Sequence, residues 1–333
     1  MRFAAVLAFA LAALGAAAPP VSAAERYAII ITGAAGSVEH ATQHGAWRDE
    51  LSKALRGSMR MPAGHVHLLG DLAAERKAQR QVGDDVDVAS RDHVRSAFAR
   101  LARVMEKDDL LLVVLIGHAT FDGVDAKFNL VGPDLEAAEW ATLLRGLPGR
   151  LVIVNGAPAS SPFIERLAGP RRIIISATDS VVQRFDTVFP EYFIAAFQEE
   201  GADIDKNGRT SVWEAFAWAA GAVRRFYQER GQLATERPLL DDNGDGVGRE
   251  AAAQGLDGAL ASRTYLAPAP AGAAPTDEVL VELLHRRASL VAEVEELQVK
   301  KAFMSPDEYG REFERIMLAL ARVAREIRQR SPS

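Results

Sequence analysis

The stretch Asp109-Leu-Leu-Leu-Val-Val-Leu-Ile116-Gly117-His118 decides the fold class of this chain. Its unbroken apolar run, 110–116, predicts a strand that is buried on both faces, as strands of a parallel sheet are. A glycine and a histidine follow at the carboxyl end of that strand. Open α/β sheets place their ligands and their chemistry at this end. Gly117 and His118 therefore mark the first candidate site.

Further apolar runs alternate with segments of helical periodicity along the chain. Strands are predicted at 27–32, 66–69, 151–154 and 172–177, and helices at 47–55, 90–106, 136–145, 192–200 and 212–227. The segment 82–89, acidic and apolar by turns, is predicted to be a loop. Strands that alternate with helices predict an α/β fold with a mostly parallel central sheet and helices on both faces.

The composition is that of a globular protein without a nucleic-acid-binding surface. The chain has 333 residues, of which 48% are hydrophobic and 25% charged, and its formal net charge is -6. Because no basic field covers it, nucleic acid is not an expected partner. The chain contains no cysteine, so disulfides, a cysteine-linked lipid and a thiol nucleophile are all excluded.

Residues 1–24 have the pattern of a secretory signal peptide. A positive start, Met1-Arg2-Phe3, precedes an alanine- and leucine-rich run to Ala18 and a small-residue segment that ends at Ala24. Because the run is short and rich in alanine, a permanent membrane span is the weaker interpretation. We therefore expect an exported protein, periplasmic or secreted, whose mature part begins near residue 25.

A proline- and alanine-rich linker, 267–275, separates a helical hairpin, 276–331, from the preceding domain, 25–266. The second helix of the hairpin follows an N-cap at Ser305 and carries one apolar stripe: Tyr309, Phe313, Ile316, Leu320, Val323 and Ile327. Two interpretations are open. The hairpin is a coiled-coil-like element that binds a protein partner or makes a homo-oligomer, or it is a helical pair that packs on its own domain.

The chain runs from a strand through Gly117-His118 and a helix to a second strand and a small-residue loop, Asn155-Gly-Ala-Pro-Ala-Ser-Ser161. This order resembles the caspase/legumain clan of cysteine peptidases. The resemblance covers about residues 26–255. It implies a caspase-like three-layer sandwich in which His118 is the general acid or base beside a cysteine thiolate. The chain departs from the clan at Ala119, where glycine is usual.

The expected nucleophile position holds no nucleophile. Counted from the strand 152–154 it falls on Ala157, and counted from the serines that follow it falls on Pro158. Neither side chain can attack a carbonyl. The favoured hypothesis is thus a pseudo-protease that acts as a binding or scaffold protein for a protein or peptide partner. The alternative is an active hydrolase that uses Ser160 or Ser161 with His118. A third possibility is a structural envelope protein that oligomerises through its hairpin.

The segment 203–214 fits the twelve-residue calcium loop of EF-hands. Its expected ligands are the side chains of Asp203, Asp205 and Asn207, the carbonyl of Arg209, a water held by Ser211 and the bidentate carboxylate of Glu214. Gly208 stands where the loop needs its sharp turn. Calcium is therefore the predicted cofactor. The alternative is an Asx-rich turn whose carboxylates cap backbone N–H groups.

A second acidic loop has only the first half of this pattern. Asp241, Asn243 and Asp245 match the first three ligands, but Ala252 occupies the last position, where Glu250 is a possible substitute. A weak site and a plain Asp/Gly turn are both compatible with this pattern. Among the remaining histidines (His40, His44, His65, His67 and His93), no metal-site spacing is predicted apart from His65-Val66-His67.

Overall fold

The computed structural model describes residues 24–183, 185–253, 257–268, 278–301 and 304–330. Its ten strands are β1 Arg26–Thr32, β2 Val66–Gly70, β3 Val86–Val88, β4 Leu110–Ile116, β5 Ala119–Phe121, β6 Ala126–Phe128, β7 Leu135–Glu136, β8 Arg150–Asn155, β9 Arg172–Ser176 and β10 Leu239–Asp241. The α-helices within these ranges are α1 Val38–Arg56, α2 Leu72–Lys77, α3 Arg91–Val104, α4 Ala137–Arg145, α5 Pro162–Leu167, α6 Phe189–Ala195, α7 Val212–Glu229, α8 Glu278–Lys300 and α9 Pro306–Arg330.

Seven strands form the central sheet in the order β10-β9-β8-β4-β1-β2-β3. All neighbours are parallel except β10, which runs antiparallel to β9. The strand β4 lies in the middle, and all seven of its residues are buried. The predicted α/β class with a mostly parallel sheet is confirmed.

Helices cover both faces of this sheet and make three layers. Alternate residues of β4 enter two separate cores, Leu112 and Val114 on one face and Leu111 and Val113 on the other. The first core is closed by α1, α6 and α7, and the second by α3, α4 and α5. The unbroken apolar run 110–116 is thus explained, because β4 has apolar neighbours on both faces of the sheet.

Two local predictions are wrong. Within the segment 82–89, predicted as a loop, Val86–Val88 forms the edge strand β3 beside β2. Its pattern is too short to stand out, and pairing with the exposed edge of β2 decides its conformation. The helix predicted at 192–200 is α6, which begins at Phe189 and ends at Ala195, with a short 3₁₀ turn later at Glu200–Ala202.

A small antiparallel sheet of β5, β6 and β7 follows His118 directly and is not predicted from the sequence. Each of its strands is only two or three residues long. Strands of this length carry too few residues to show a periodicity, so their pairing partners are needed to recognise them.

The helices α8 and α9 form a hairpin that packs on the α/β unit. Leu280 and Leu284 of α8 and Ile316, Val323 and Ile327 of α9 belong to the same core as α7. The ring of His285 stacks on Trp213 of α7 at 4.6 Å between centroids. Most of the predicted stripe is therefore covered by the protein's own residues, which favours the helical pair over a free partner-binding stripe.

Two predicted segments fall largely outside the described residues: the signal peptide, apart from Ala24, and the linker, apart from Ala267 and Pro268. Within the described ranges, every helix is either too short or too polar to cross a membrane.

Candidate functional site

Gly117 occupies the carboxyl end of β4 in a conformation that favours glycine. Its φ is +143°, and a Cβ placed there would lie 3.3 Å from the backbone nitrogen of Gly33. The end of β1 lies next to the end of β4, where the N–H of Gly33 donates to the carbonyl oxygen of Ile116 at 2.9 Å. This glycine lets two strand ends approach each other, and it fixes where the next residue, His118, leaves the sheet.

The imidazole of His118 is held between a carbonyl and a carboxylate. Its Nε2 lies 3.1 Å from the carbonyl oxygen of Ala35. Its Nδ1 lies 3.3 Å from Oδ1 of Asp186, and the side chain is 24% exposed. Because a carbonyl can only accept a hydrogen bond, Nε2 must carry a proton.

Two more histidines surround this ring, and both come from α1. His40 and His44 stand one helical turn apart, with ring centroids 4.7 and 5.4 Å from that of His118. The Nε2 of His40 lies 2.8 Å from Oδ2 of Asp186. We call His40, His44, His118 and Asp186 the histidine cluster.

His44 is the most buried member of the cluster, with 5% of its surface exposed. Burial, and then repulsion from the neighbouring histidines, lowers its pKa to about 3. Its Nδ1 is buried and has no hydrogen-bond partner. The sequence analysis assigned metal-like spacing only to His65 and His67, whereas His40 and His44 at i and i+4 also share one face of α1. That spacing is the signal in the sequence that could have revealed the cluster.

The turn after β8 lies beside the end of β4, as predicted. The register pairs Leu115 of β4 with Asn155 of β8, so Gly117 and Ala157 follow at corresponding positions. Both Ala157 and Pro158 are buried. The structure thus brings His118 and both candidate positions for the lost nucleophile to the same sheet edge.

Four backbone N–H groups of this turn are bonded within the protein: Gly156 to Leu115 O at 2.9 Å, Ala157 to Asn155 Oδ1 at 3.1 Å, Ala159 to Gln183 O at 3.0 Å and Ser160 to Thr178 Oγ1 at 3.0 Å. Pro158 has no N–H at all. Acyl transfer needs donors aimed at the developing oxyanion, and these four are already engaged.

The two serines of the turn do not pair with the histidine. The hydroxyl of Ser160 is fully buried, lies 3.2 Å from Thr178 Oγ1 and accepts the N–H of Thr178. Ser161 is half-buried at the start of α5. Among the residues that the structure describes, no serine or threonine hydroxyl is hydrogen-bonded to His118.

The predicted calcium loop brings three carboxylates together in front of α7. Oxygens of Asp203, Asp205 and Glu214 all lie within 4.8 Å of one another. Gly208 has a φ of +81°, as the sharp turn requires. Burial, and then a neighbouring carboxylate, raises the pKa of both Asp205 and Glu214. A cation of the calcium type fits this oxygen-rich, mutually repelling set.

The same oxygens also organise the loop. Asp203 accepts the N–H groups of Asn207 and Gly208, and Glu214 accepts those of Ile204 and Ser211. The side-chain oxygen of Asn207 accepts the N–H of Arg209 at 2.9 Å, and Ser211 Oγ donates to Glu214 at 2.8 Å. Arg209, whose backbone carbonyl is one of the expected calcium ligands, places its side chain over the ring of Tyr265.

The second acidic loop is closed by hydrogen bonds and ion pairs. Asp241 accepts the N–H groups of Gly244 and Gly246, and Asn243 accepts that of Asp245. Asp245 pairs with Arg249 at 3.1 Å. Glu250, the possible substitute ligand, is paired with Arg237 instead. These partners favour the plain Asp/Gly turn.

Comparisons with known proteins give similarities of structure only. The chain matches no protein-family model. It also matches no curated protein. Among solved structures, it is similar to a protein of Geobacter sulfurreducens, with a TM-score of 0.39, 12% identity and coverage of 65% of this chain and 92% of that one. It is also similar to caspase-1 from Spodoptera frugiperda, with a TM-score of 0.39, 11% identity and coverage of 66% and 86%.

Proposed function

We propose that this chain is an exported caspase-like pseudo-protease, which binds a peptide or protein segment without cleaving it. The observation that carries the proposal is the turn after β8. Alanine and proline fill both candidate nucleophile positions, and the N–H groups of Gly156, Ala157, Ala159 and Ser160 are bonded within the protein. Hydrolysis would need both a nucleophile and oxyanion donors. The resemblance of Gly117-His118 and its neighbouring turn to the caspase/legumain clan supports the choice of fold family.

The edge of the histidine cluster offers apolar surface for such a segment. Val182 and Phe185 precede Asp186 on its loop, and each is 76% exposed. Exposed large apolar side chains beside a strand-end site are typical of ligand-binding surfaces. The bound peptide would lie across the ends of β4 and β8, where substrates of an active enzyme of this fold class would be placed.

An active hydrolase with a non-cysteine nucleophile is the alternative function. It would require Ser160 or Ser161 to give its proton to His118. The structure disfavours this arrangement, because Ser160 is paired with Thr178 and His118 with Ala35 and Asp186. No observation on the site favours it over binding.

The first prediction concerns hydrolysis. We expect purified wild-type protein and the His118→Ala variant to show the same background turnover of Asp-, Asn-, Arg- and Lys-directed peptides, measured by mass spectrometry of a peptide library. Retention of peptides on the immobilised protein should fall in Phe185→Asp, and remain in Leu233→Asp, a matched control at an equally apolar residue that is 90% exposed. Turnover that disappears in His118→Ala, or in Ser160→Ala or Ser161→Ala, would show that the protein is an enzyme.

Calcium has a structural part in this proposal, since its loop caps α7 and adjoins the main core. Glu214 is wholly buried and closes the capping box with Ser211 at the start of that helix. An ion on the three carboxylates would offset their repulsion and tie the loop to the helix.

The second prediction follows from this. At 1 mM calcium and a Kd of about 10 μM, binding would stabilise the fold by about 2.7 kcal/mol, or roughly 5–10 °C in Tm. The shift should vanish in Asp203→Ala and persist in Asp245→Ala, the matched change in the second loop. Differential scanning fluorimetry with and without calcium measures both. An unchanged Tm in wild-type protein would remove calcium from the proposal.

The hairpin of α8 and α9 is proposed as a second contact surface for a protein partner or for another copy of the chain. Among its described residues, the large apolar side chains that are exposed are Val279, Val291, Phe313, Met317 and Leu318. They are distinct from Ile316, Val323 and Ile327, the residues of the apolar stripe that are buried against the rest of the protein. Sedimentation of the full chain and of its Met317→Asp and Leu318→Asp variants would show whether the hairpin mediates association.

A further inference from the structure

The histidine cluster has the composition and spacing of a metal-ion site. We propose that His40, His118 and Asp186 bind one divalent transition-metal ion, with Zn²⁺ as the reference ion. One ligand atom from each residue lies within 4.8 Å of the others. The site is separate from the calcium loop, and the proposal does not depend on peptide binding or on the absence of hydrolysis.

The three side chains are close enough for a single ion, with one distance at the spacing of two zinc ligands and the other at hydrogen-bond length. The Nδ1 of His118 is 3.3 Å from Oδ1 of Asp186, and the Nε2 of His40 is 2.8 Å from Oδ2. Two ligands of a tetrahedral ion with bonds of 2.0–2.1 Å are separated by roughly 3.3 Å. Two imidazoles and one carboxylate also form a ligand set that leaves a position open for water or a substrate.

The orientation of the His118 ring also fits a metal ligand. Its Nε2 faces Ala35 O at 3.1 Å, and its Nδ1 faces the carboxylate of Asp186 at 3.3 Å. Histidines that bind metals commonly donate their other N–H to a backbone carbonyl, and His118 has this arrangement.

His44 is the independent observation that points to a ligand. The residue is 5% exposed, its ring packs against both His40 and His118, and its Nδ1 has no hydrogen-bond partner. A buried polar atom without a partner is costly. Since the ring of His44 packs against those of His40 and His118, a metal ion or its bound water at the cluster would lie beside it.

The backbone around Asp186 is anchored although its side chain is 53% exposed. The hydroxyl of Thr187 donates to Gly156 O, and the N–H groups of Val188 and Phe189 donate to the buried carboxylate of Glu236. These bonds hold the loop against the turn after β8, so the carboxylate faces the histidines from the solvent side.

Imidazole ligands favour zinc and its neighbours in the transition-metal series over calcium or magnesium.

The test is zinc binding by the full-length protein without a histidine tag. The titration uses a chromophoric chelator as competitor in 1 mM calcium, which competes with zinc for the carboxylates of the acidic loops. We expect one zinc ion per chain in the wild type. The affinity should fall by about 100-fold or more in His40→Gln and in Asp186→Asn, because each removes a direct ligand. Both side chains reach solvent, so neither change should affect folding.

His93→Gln is the matched control. His93 follows the helix N-cap Ser90 by three residues, as His40 follows Ser37, but it lies outside the cluster. Its variant should bind zinc like the wild type, and Asp203→Ala should do so too. X-ray absorption of the zinc-loaded protein should show nitrogen and oxygen ligands at about 2.0–2.1 Å.

Three outcomes would overturn the proposal. The first is no zinc binding at 100-fold excess over the protein, as expected if the contacts of Asp186 with the histidines are hydrogen bonds alone. In the second, the wild type and the two ligand variants bind equally, which would place the ion elsewhere. The third is equal weakening in His93→Gln, which would indicate adventitious surface binding.

Discussion

Replacing Arg48 by methionine is expected to lower the free energy of unfolding by about 3–5 kcal/mol. Arg48 lies on α1, one turn after His44, and its side chain is completely buried. Its two terminal nitrogens bind both carboxylate oxygens of Glu75, at 2.5 and 2.9 Å. Glu75 is only 2% exposed. Methionine would fill the space but leave that buried carboxylate without its bidentate partner.

Urea unfolding followed by tryptophan fluorescence measures this effect. The matched control is Arg95→Met, since Arg95 pairs with Glu139 at 3.0 Å but is 49% exposed. Its loss should cost less than about 1 kcal/mol. The double variant Arg48→Met, Glu75→Leu should recover most of the lost stability, because no buried charge remains. Equal losses for Arg48→Met and Arg95→Met would refute this account of the buried pair.

Stability is also expected to fall as pH rises from about 4.5 to 7, because of one buried carboxyl group. Glu236 is 1% exposed and accepts hydrogen bonds from the N–H groups of Val188 and Phe189 and from the hydroxyl of Tyr227. Burial raises its pKa from 4.5 to about 7, against the opposite effect of these bonds. Burial decides the direction, because a buried charge loses its hydration.

The sign follows from proton binding. Below pH 4.5 the group is protonated in both the folded and the unfolded chain. Between pH 4.5 and 7 the unfolded chain releases the proton while the folded chain keeps it, so unfolding becomes more favourable. This contribution is complete at acidic pH and is lost as pH passes 7, a decrease of about 3 kcal/mol.

The difference between wild type and Glu236→Gln isolates this contribution, because all other groups titrate alike in both. The variant should lack the decrease, and Glu229→Gln, an exposed neighbour on α7, should keep it. Urea midpoints at half-unit steps from pH 4 to 8 provide the data. A parallel pH dependence in wild type and Glu236→Gln would contradict the raised pKa.

Much of the fold could be predicted from local patterns. The apolar run 110–116 and its counterparts identify β1, β2, β4, β8 and β9, since a strand buried on both faces needs apolar side chains throughout. Ser90 and Ser305 mark helix starts because an N-cap acts within its own turn. The acidic loop at 203–214 was also identifiable, because its potential ligands come from one short segment with fixed spacing.

The histidine cluster could not be predicted in this way. Its members come from α1, from the end of β4 and from the loop before α6, and Asp186 lies 146 residues after His40. Only the parallel order of the sheet and the placement of α1 bring these side chains together. The partners of the N–H groups of Gly156, Ala159 and Ser160 are likewise supplied by other segments, so the engagement of these donors is a property of the folded chain.

The sequence alone determined that the chain lacks a thiol nucleophile, that its core is an α/β sheet, and that Gly117 and His118 stand at a strand end. These features depend on residue identity and on interactions between near neighbours. The tertiary structure alone decided that His118 faces Asp186 and two further histidines and not a serine. Contacts between distant segments depend on sheet order and helix packing, which no local pattern contains.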